Sequence, residues 1–223
     1  AAAFIKELAP MVEGADCDVV LCVPAIDIPA AVEAAKGTNI HIGAENVHFA
    51  ESGAYTGEIS ANMVKSAGAS YVIVGHSERR QIFGETNAVC NKKLAAALAA
   101  GLKVIFCIGE TLDERSKYKS VLKKEIVEGF AGIKDFSKII IAYEPVWAIG
   151  TGVVATNADI SKVHGYIKNL VKETFGADVP VLYGGSVKPS NSKEILALEE
   201  VDGVLIGGAS LKPEDYIAIA QSR

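Results

Sequence analysis

Two residues able to move protons stand where apolar runs stop. In "IIIAYEPVWAIGTG" (139–152) a short, β-branched run ends in a bare carboxylate, Glu144, followed by a proline, a tryptophan and two glycines. A carboxylate at the end of a buried strand is costly unless it is hydrogen-bonded or has chemistry to do. Two readings stand for Glu144: a solvated loop glutamate beside a Trp that caps the core, or a general base. In "YVIVGHSERR" (71–80) the run ends in His76. A lone His at such a place also reads as a structural hydrogen-bonder. However, "SERR" would begin a helical turn, whose positive end disfavours imidazolium. That leaves a neutral ring able to donate a proton or polarise a carbonyl. His76 and Glu144 are therefore a candidate acid–base pair.

Other strand ends are polar too. "VIFCIGET" (104–111) ends in Glu110, "VPVLYGGS" (179–186) in Gly184, Gly185 and Ser186, and "GVLIGGAS" (203–210) in Gly207, Gly208 and Ser210. Paired glycines let backbone N–H groups approach an anion closely, with a helix N-terminus behind. The alternative is that they build only tight turns. Pro145–Ala155 reads as a hinged lid, with Pro145 and Gly152 near its ends.

These residues need a frame that brings strand ends to one rim. After an opening helix with Phe4, Leu8 and Met11 on one stripe, short apolar runs alternate with helical patterns. Strands are expected at Asp18–Val23, Asn39–Gly43, Tyr71–Val74, Lys103–Ile108, Lys138–Ala142, Val179–Leu182 and Val204–Ile206. Helices are expected at Ile28–Ala35, Ser60–Ser66, Ala88–Ala100, Leu112–Phe130, Ala158–Thr174, Ser190–Leu198 and Pro213–Gln221. Strict alternation implies parallel strands, because each crossover is supplied by a helix. Seven such units behind a leading helix suggest a (β/α)8 TIM barrel, an α/β fold of about 250 residues, with its first strand absent. An open doubly wound sheet is the other option, but no GxGxxG follows the first strand. With no linker or composition shift, residues 1–223 are expected to form one barrel domain.

Composition narrows the function. At 223 residues and 50% hydrophobic the chain can bury a sizeable core. It has no uncharged apolar run of about 18 residues, so no membrane span is expected. A net charge of −5 without a basic cluster argues against nucleic acid as partner. Cys17, Cys22, Cys90 and Cys107 lack CxxC spacing and read as reduced thiols of a cytoplasmic protein, and no metal is expected. "AAAFIKELAP" lacks the basic flank and apolar core of a signal peptide, and it lacks an initiating Met. Either an upstream stretch has been removed, or the sequence starts inside a longer chain.

Taken in order, "GAENVHFAESGAYTGEIS" (43–60), "VGHSERR" (74–80), "CIGET" (107–111), "AYEPVWAIGTG" (142–152), "YGGSVKP" (183–189) and "DGVLIGGASL" (202–211) resemble the signatures of the triosephosphate isomerase family. That family is itself a well-known case of barrel, lid and paired acid–base groups, so the roles below are carried over from it. The resemblance implies a cofactor-free isomerase acting on a triose phosphate. Glu144 would be the base and His76 the neutral electrophile, with Glu78 a supporting carboxylate. The main-chain N–H groups of Gly150, Ser186, Gly207 and Gly208 would hold the phosphate. It also implies a homodimer, in which the His48–Glu58 loop, with Tyr55, Thr56 and Gly57 at its tip, reaches into the partner subunit.

The sequence departs from the family pattern in four places. A first-strand motif like "GNWKMN", whose Asn and Lys would contact substrate, does not occur. The alternatives are a protein with more residues than these, and a real truncation that folds poorly and is nearly inactive. "DERSKYKS" (113–120) is a couple of residues short of the pattern. Val153 stands where Lys is frequent, and Glu45, expected to alter charge near the subunit interface, where Gln is usual. Two competing functions are a catalytically dead barrel that binds sugar phosphate or protein, and another phosphate-binding barrel enzyme.

Overall fold

The computed structural model describes residues 1–149 and 154–222. Helix α1 (Ala2–Leu8) opens the chain and runs into a 3-10 turn over Ala9–Met11. Its buried positions are Ile5, Leu8 and Val12, whereas Phe4 is half-buried and Met11 exposed. The buried stripe is thus Ile5, Leu8 and Val12 at i, i+3 and i+7, sharing Leu8 with the expected stripe but turned toward Ile5 and Val12.

The strands are β1 (Val19–Val23), β2 (Ile40–Ala44), β3 (Tyr71–Val74), β4 (Lys103–Ile108), β5 (Ile139–Tyr143), β6 (Val181–Tyr183) and β7 (Gly203–Val204). The helices that follow them are α2 (Ile28–Ala35), α3 (Ala61–Ser66), α4 (Ser77–Gln81), α5 (Asn87–Ala99), α6 (Tyr118–Gly129), α7 (Asn157–Phe175), α8 (Ser192–Leu196) and α9 (Pro213–Ala220). All strand pairs are parallel and neighbours in space follow chain order, β1 to β7. The sheet is a TIM-barrel wall of seven strands, and every carboxyl end lies on one rim. Among the described residues β1 and β7 are its edges. Between them the Tyr216 hydroxyl of α9 donates to Val20 O at 3.3 Å, so the last helix leans on the first strand.

Strand alternation sorts the core into two layers. In β4, Val104, Phe106 and Ile108 point outward into the layer between sheet and helices, where Leu94, Leu122 and Phe130 also pack. Ile105 and Cys107 point inward and join Tyr71 and Ala142 in the barrel interior. Helix caps fix the start of several crossovers. The hydroxyls of Ser60, Thr86 and Thr156 accept from the N–H groups of Met63, Val89 and Asp159. Among the described residues, no helix is long and apolar enough to cross a membrane.

Candidate active site

Glu144 is the first residue past β5, and it is only 2% exposed. Its main chain is locked against the end of β4. Glu144 N donates to Ile108 O at 2.8 Å, and Val146 N donates to Glu110 O at 3.1 Å. Gly109 sits between those acceptors because a side chain cannot: a Cβ there would stand 1.7 Å from Glu144 O. Gly184 limits the other flank, with a built Cβ 3.0 Å from Glu144 Cγ.

His76 stands just past the end of β3, two strands along the sheet. Gly75 before it takes a left-handed φ of +75°, which turns the chain out of β3. The His76 side chain caps α4, with Nδ1 accepting from Glu78 N at 3.3 Å. An accepting Nδ1 places the ring proton on Nε2, the neutral tautomer. That Nε2 faces Glu144 Oε1 at 3.0 Å. Ser77 completes the arrangement, its N–H reaching Glu144 Oε2 and its hydroxyl reaching Oε1, both at 3.0 Å.

The electrostatics differ from what the helix start alone suggests. Burial depresses the pKa of His76, but the facing Glu144 carboxylate, with Glu78 and Glu45 behind it, reverses the direction and raises it. The five-residue α4 is too short for its dipole to override a carboxylate at contact. Burial also lifts the carboxyl of Glu45 above the usual range, helped by Glu78 and Asp27. Glu78 itself is exposed, its carboxylate 3.8 Å from Nδ1, so its main-chain N–H makes the closer contact with the ring.

His76, Glu78 and Glu144 share one cavity of about 1640 Å³ with Ser186, Gly207 and Gly208. Cβ atoms built on Gly207 and Gly208 meet nothing within 4 Å, so their backbone faces open space. A 3-10 helix over Gly208–Leu211 starts within one glycine pair, with Gly207 as its N-cap residue, whereas α8 begins only six residues after Ser186. Gly150 lies outside the described residues, as do Gly152 and Val153. The start of the expected lid is tied down by Trp147, whose Nε1 donates to Glu110 Oε1 at 2.8 Å, and the hydroxyl of Tyr143 at the end of β5 donates to the same oxygen at 3.0 Å. Burial raises the Glu110 carboxyl, while those two bonds pull it back.

The His48–Glu58 loop is closed at its base by His48 N donating to Ile59 O at 2.8 Å. His48 stacks near Phe49 and Tyr55, and Tyr55, Thr56 and Gly57 are exposed. Sequence reasoning missed Ser77 as a partner of Glu144. Its only signal was adjacency to His76.

Fold and site together define a barrel protein with an imidazole–carboxylate pair at the carboxyl rim, and a glycine-lined wall opposite. A family profile described as triosephosphate isomerase matches residues 1–223. A triosephosphate isomerase of Clostridium botulinum (strain Langeland) is 48% identical over 227 aligned residues, covering 97% of this chain and 90% of the relative. One from Prosthecochloris aestuarii is 52% identical, covering 84% of this chain and 77% of the relative. The crystal structure of triosephosphate isomerase from Bartonella henselae superposes with a TM-score of 0.92 at 42% identity, covering 99% of this chain and 92% of that one. The chain belongs to the triosephosphate isomerase family.

Proposed function

We propose that the protein interconverts dihydroxyacetone phosphate and D-glyceraldehyde 3-phosphate through an enediolate, as one barrel domain spanning residues 1–223. The observation that carries the reading is the 3.0 Å approach of His76 Nε2 to Glu144 Oε1, inside a cavity shared with Ser186, Gly207 and Gly208. Glu144 takes a proton from the carbon beside the substrate carbonyl. The Nε2–H of neutral His76 polarises that carbonyl and moves protons between the two oxygens of the enediolate. Glu144 then returns its proton to the neighbouring carbon. Only protons move, so no cofactor is needed. Glu78 supports the site by holding Nδ1 as an acceptor through its N–H.

The phosphate is held by main-chain N–H groups of Ser186, Gly207 and Gly208, with Gly150 contributed by the lid. Closing Pro145–Ala155 excludes water and protects the enediolate from losing phosphate. The protein acts in the cytoplasm as a homodimer, with the exposed Tyr55–Thr56–Gly57 tip seated in the partner. Exposed Ile82 and Phe83, after α4, supply apolar surface for such an interface.

Steady-state assay of the full-length protein with Glu144→Asp and Glu144→Gln tests the reading. The expected result is a kcat loss of about 10²–10⁴-fold with a much smaller change in KM. Unchanged turnover refutes the assignment.

A further inference from the structure

We propose that Arg80 and Glu125 are positioning residues, a largely buried pair behind the site that fixes the ends of β3 and β4 and through them His76 and Glu144. The inference rests on the acid–base reading above.

The pair does not line the substrate cavity. It lines a second cavity of about 150 Å³ together with Gly75, Ser77, Gly109 and Glu144. Behind these two strand ends lies this open pocket, and polar ties along its wall connect them. Arg80, from α4, donates through Nε to Gly75 O at 2.7 Å and through Nη2 to Cys107 O at 3.1 Å. Its Nη1 donates to Asn87 Oδ1 at 2.6 Å. The planar guanidinium therefore spans the last residues of β3 and β4 with one rigid group. Glu125, from α6, accepts from Gly109 N at 2.8 Å, and its other oxygen lies 3.6 Å from Arg80 Nη1.

Two of these ties, to Gly75 O and Gly109 N, end one step from a reacting residue. Gly75 O belongs to the peptide that leads into His76. Gly109 abuts the Glu144 carbonyl so closely that displacing one displaces the other. Burial pushes Glu125 up to about 7, with Arg80 pulling the other way. Either protonation form still offers an oxygen to Gly109 N–H, so a neutral amide should serve in its place.

The experiment compares kcat and KM on dihydroxyacetone phosphate for the parent, Glu125→Leu, Glu125→Gln and Glu144→Gln, alongside hydrogen exchange of the Gly109 amide in the unaltered protein. A small misplacement of a reacting group costs up to about a hundredfold, so Glu125→Leu is expected to lose at least about tenfold in kcat with KM within about twofold. Glu125→Gln is expected to recover to within about threefold of the parent, because its carbonyl oxygen still accepts from Gly109. Gly109 is expected to exchange as slowly as the amides of β4. A parental kcat in Glu125→Leu while Glu144→Gln is dead overturns the proposal, and so does Glu125→Gln as impaired as Glu125→Leu. Loop-like exchange at Gly109 overturns it even if Glu125→Leu does not fold. Full turnover in Glu144→Gln overturns the acid–base reading instead.

Discussion

Ser77 holds both oxygens of Glu144: its N–H meets Oε2 and its hydroxyl meets Oε1, each at 3.0 Å. The two residues are 67 positions apart in sequence and meet because β3 and β5 end on the same rim. In this arrangement the carboxylate is satisfied although it is almost fully buried. Bound in this way, it lies beside His76 Nε2 at 3.0 Å.

Removing the hydroxyl should be felt in stability. Ser77→Ala deprives a buried charged acceptor of one donor, which costs about 1–3 kcal/mol. Denaturant unfolding should show a lower midpoint with an unchanged slope. An unaltered midpoint would mean that the hydroxyl bond contributes nothing.

His76 should titrate differently without its facing carboxylate. Glu144→Gln removes the nearest of the carboxylates that raise the imidazole pKa and leaves the burial that lowers it, with Glu78 and Glu45 still raising it. NMR titration of the ring is expected to show a clear fall from its raised value, and an unchanged titration would assign the rise to Glu78 and Glu45. The linkage has a definite sign. With the folded pKa raised, the stabilisation is fully present below about pH 6.5 and is lost as pH rises through the folded value. His76 is 27% exposed, so the contribution is modest.

His164 gives the opposite slope. It is fully buried between Tyr143 and Tyr183, and burial lowers its pKa to about 4. The neutral ring is required, so stability is present above about pH 6.5 and falls as pH drops toward the folded value, by about 3 kcal/mol in all. His164→Phe keeps a ring there and should flatten this part of the stability profile. A profile as steep as the parent's would assign the acid sensitivity elsewhere.

Trp147 is the single tryptophan of the chain, so its fluorescence reports the lid's anchored end. It donates to Glu110 at 2.8 Å, with the Arg115 guanidinium 3.9 Å above the ring. Glu110→Ala should shift its emission to the red, raise its quenching by acrylamide, and lower kcat by about tenfold through a less ordered lid. Glu110→Gln, which keeps an acceptor, should do much less.

The ends of strands were legible because apolar runs stop abruptly. β3 and β4 and helix α2 lie where the apolar patterning puts them, and Glu144, His76, Ser186, Gly207 and Gly208 do line one cavity. β7 is harder to read. Only Gly203 and Val204 pair, although the apolar run continues through Ile206, because ladder bonding and hydrophobicity need not end together. The helix expected from Leu112 starts only at Tyr118, after Glu114 folds back to accept from Thr111 and a 3-10 turn intervenes. The ties of Arg80 and Glu125 to the rim were invisible, since they depend on which backbone carbonyls and amides face a helix in three dimensions. Alternation and composition carry no record of that register.

The most direct test of Glu144 as the base follows hydrogen at the reacting carbon. In D2O the parent should place deuterium on the triose phosphate carbon while it isomerises. With Glu144→Gln, both exchange and isomerisation should fall together by about 10²–10⁴-fold. Exchange continuing at the parental rate in that variant would contradict the account.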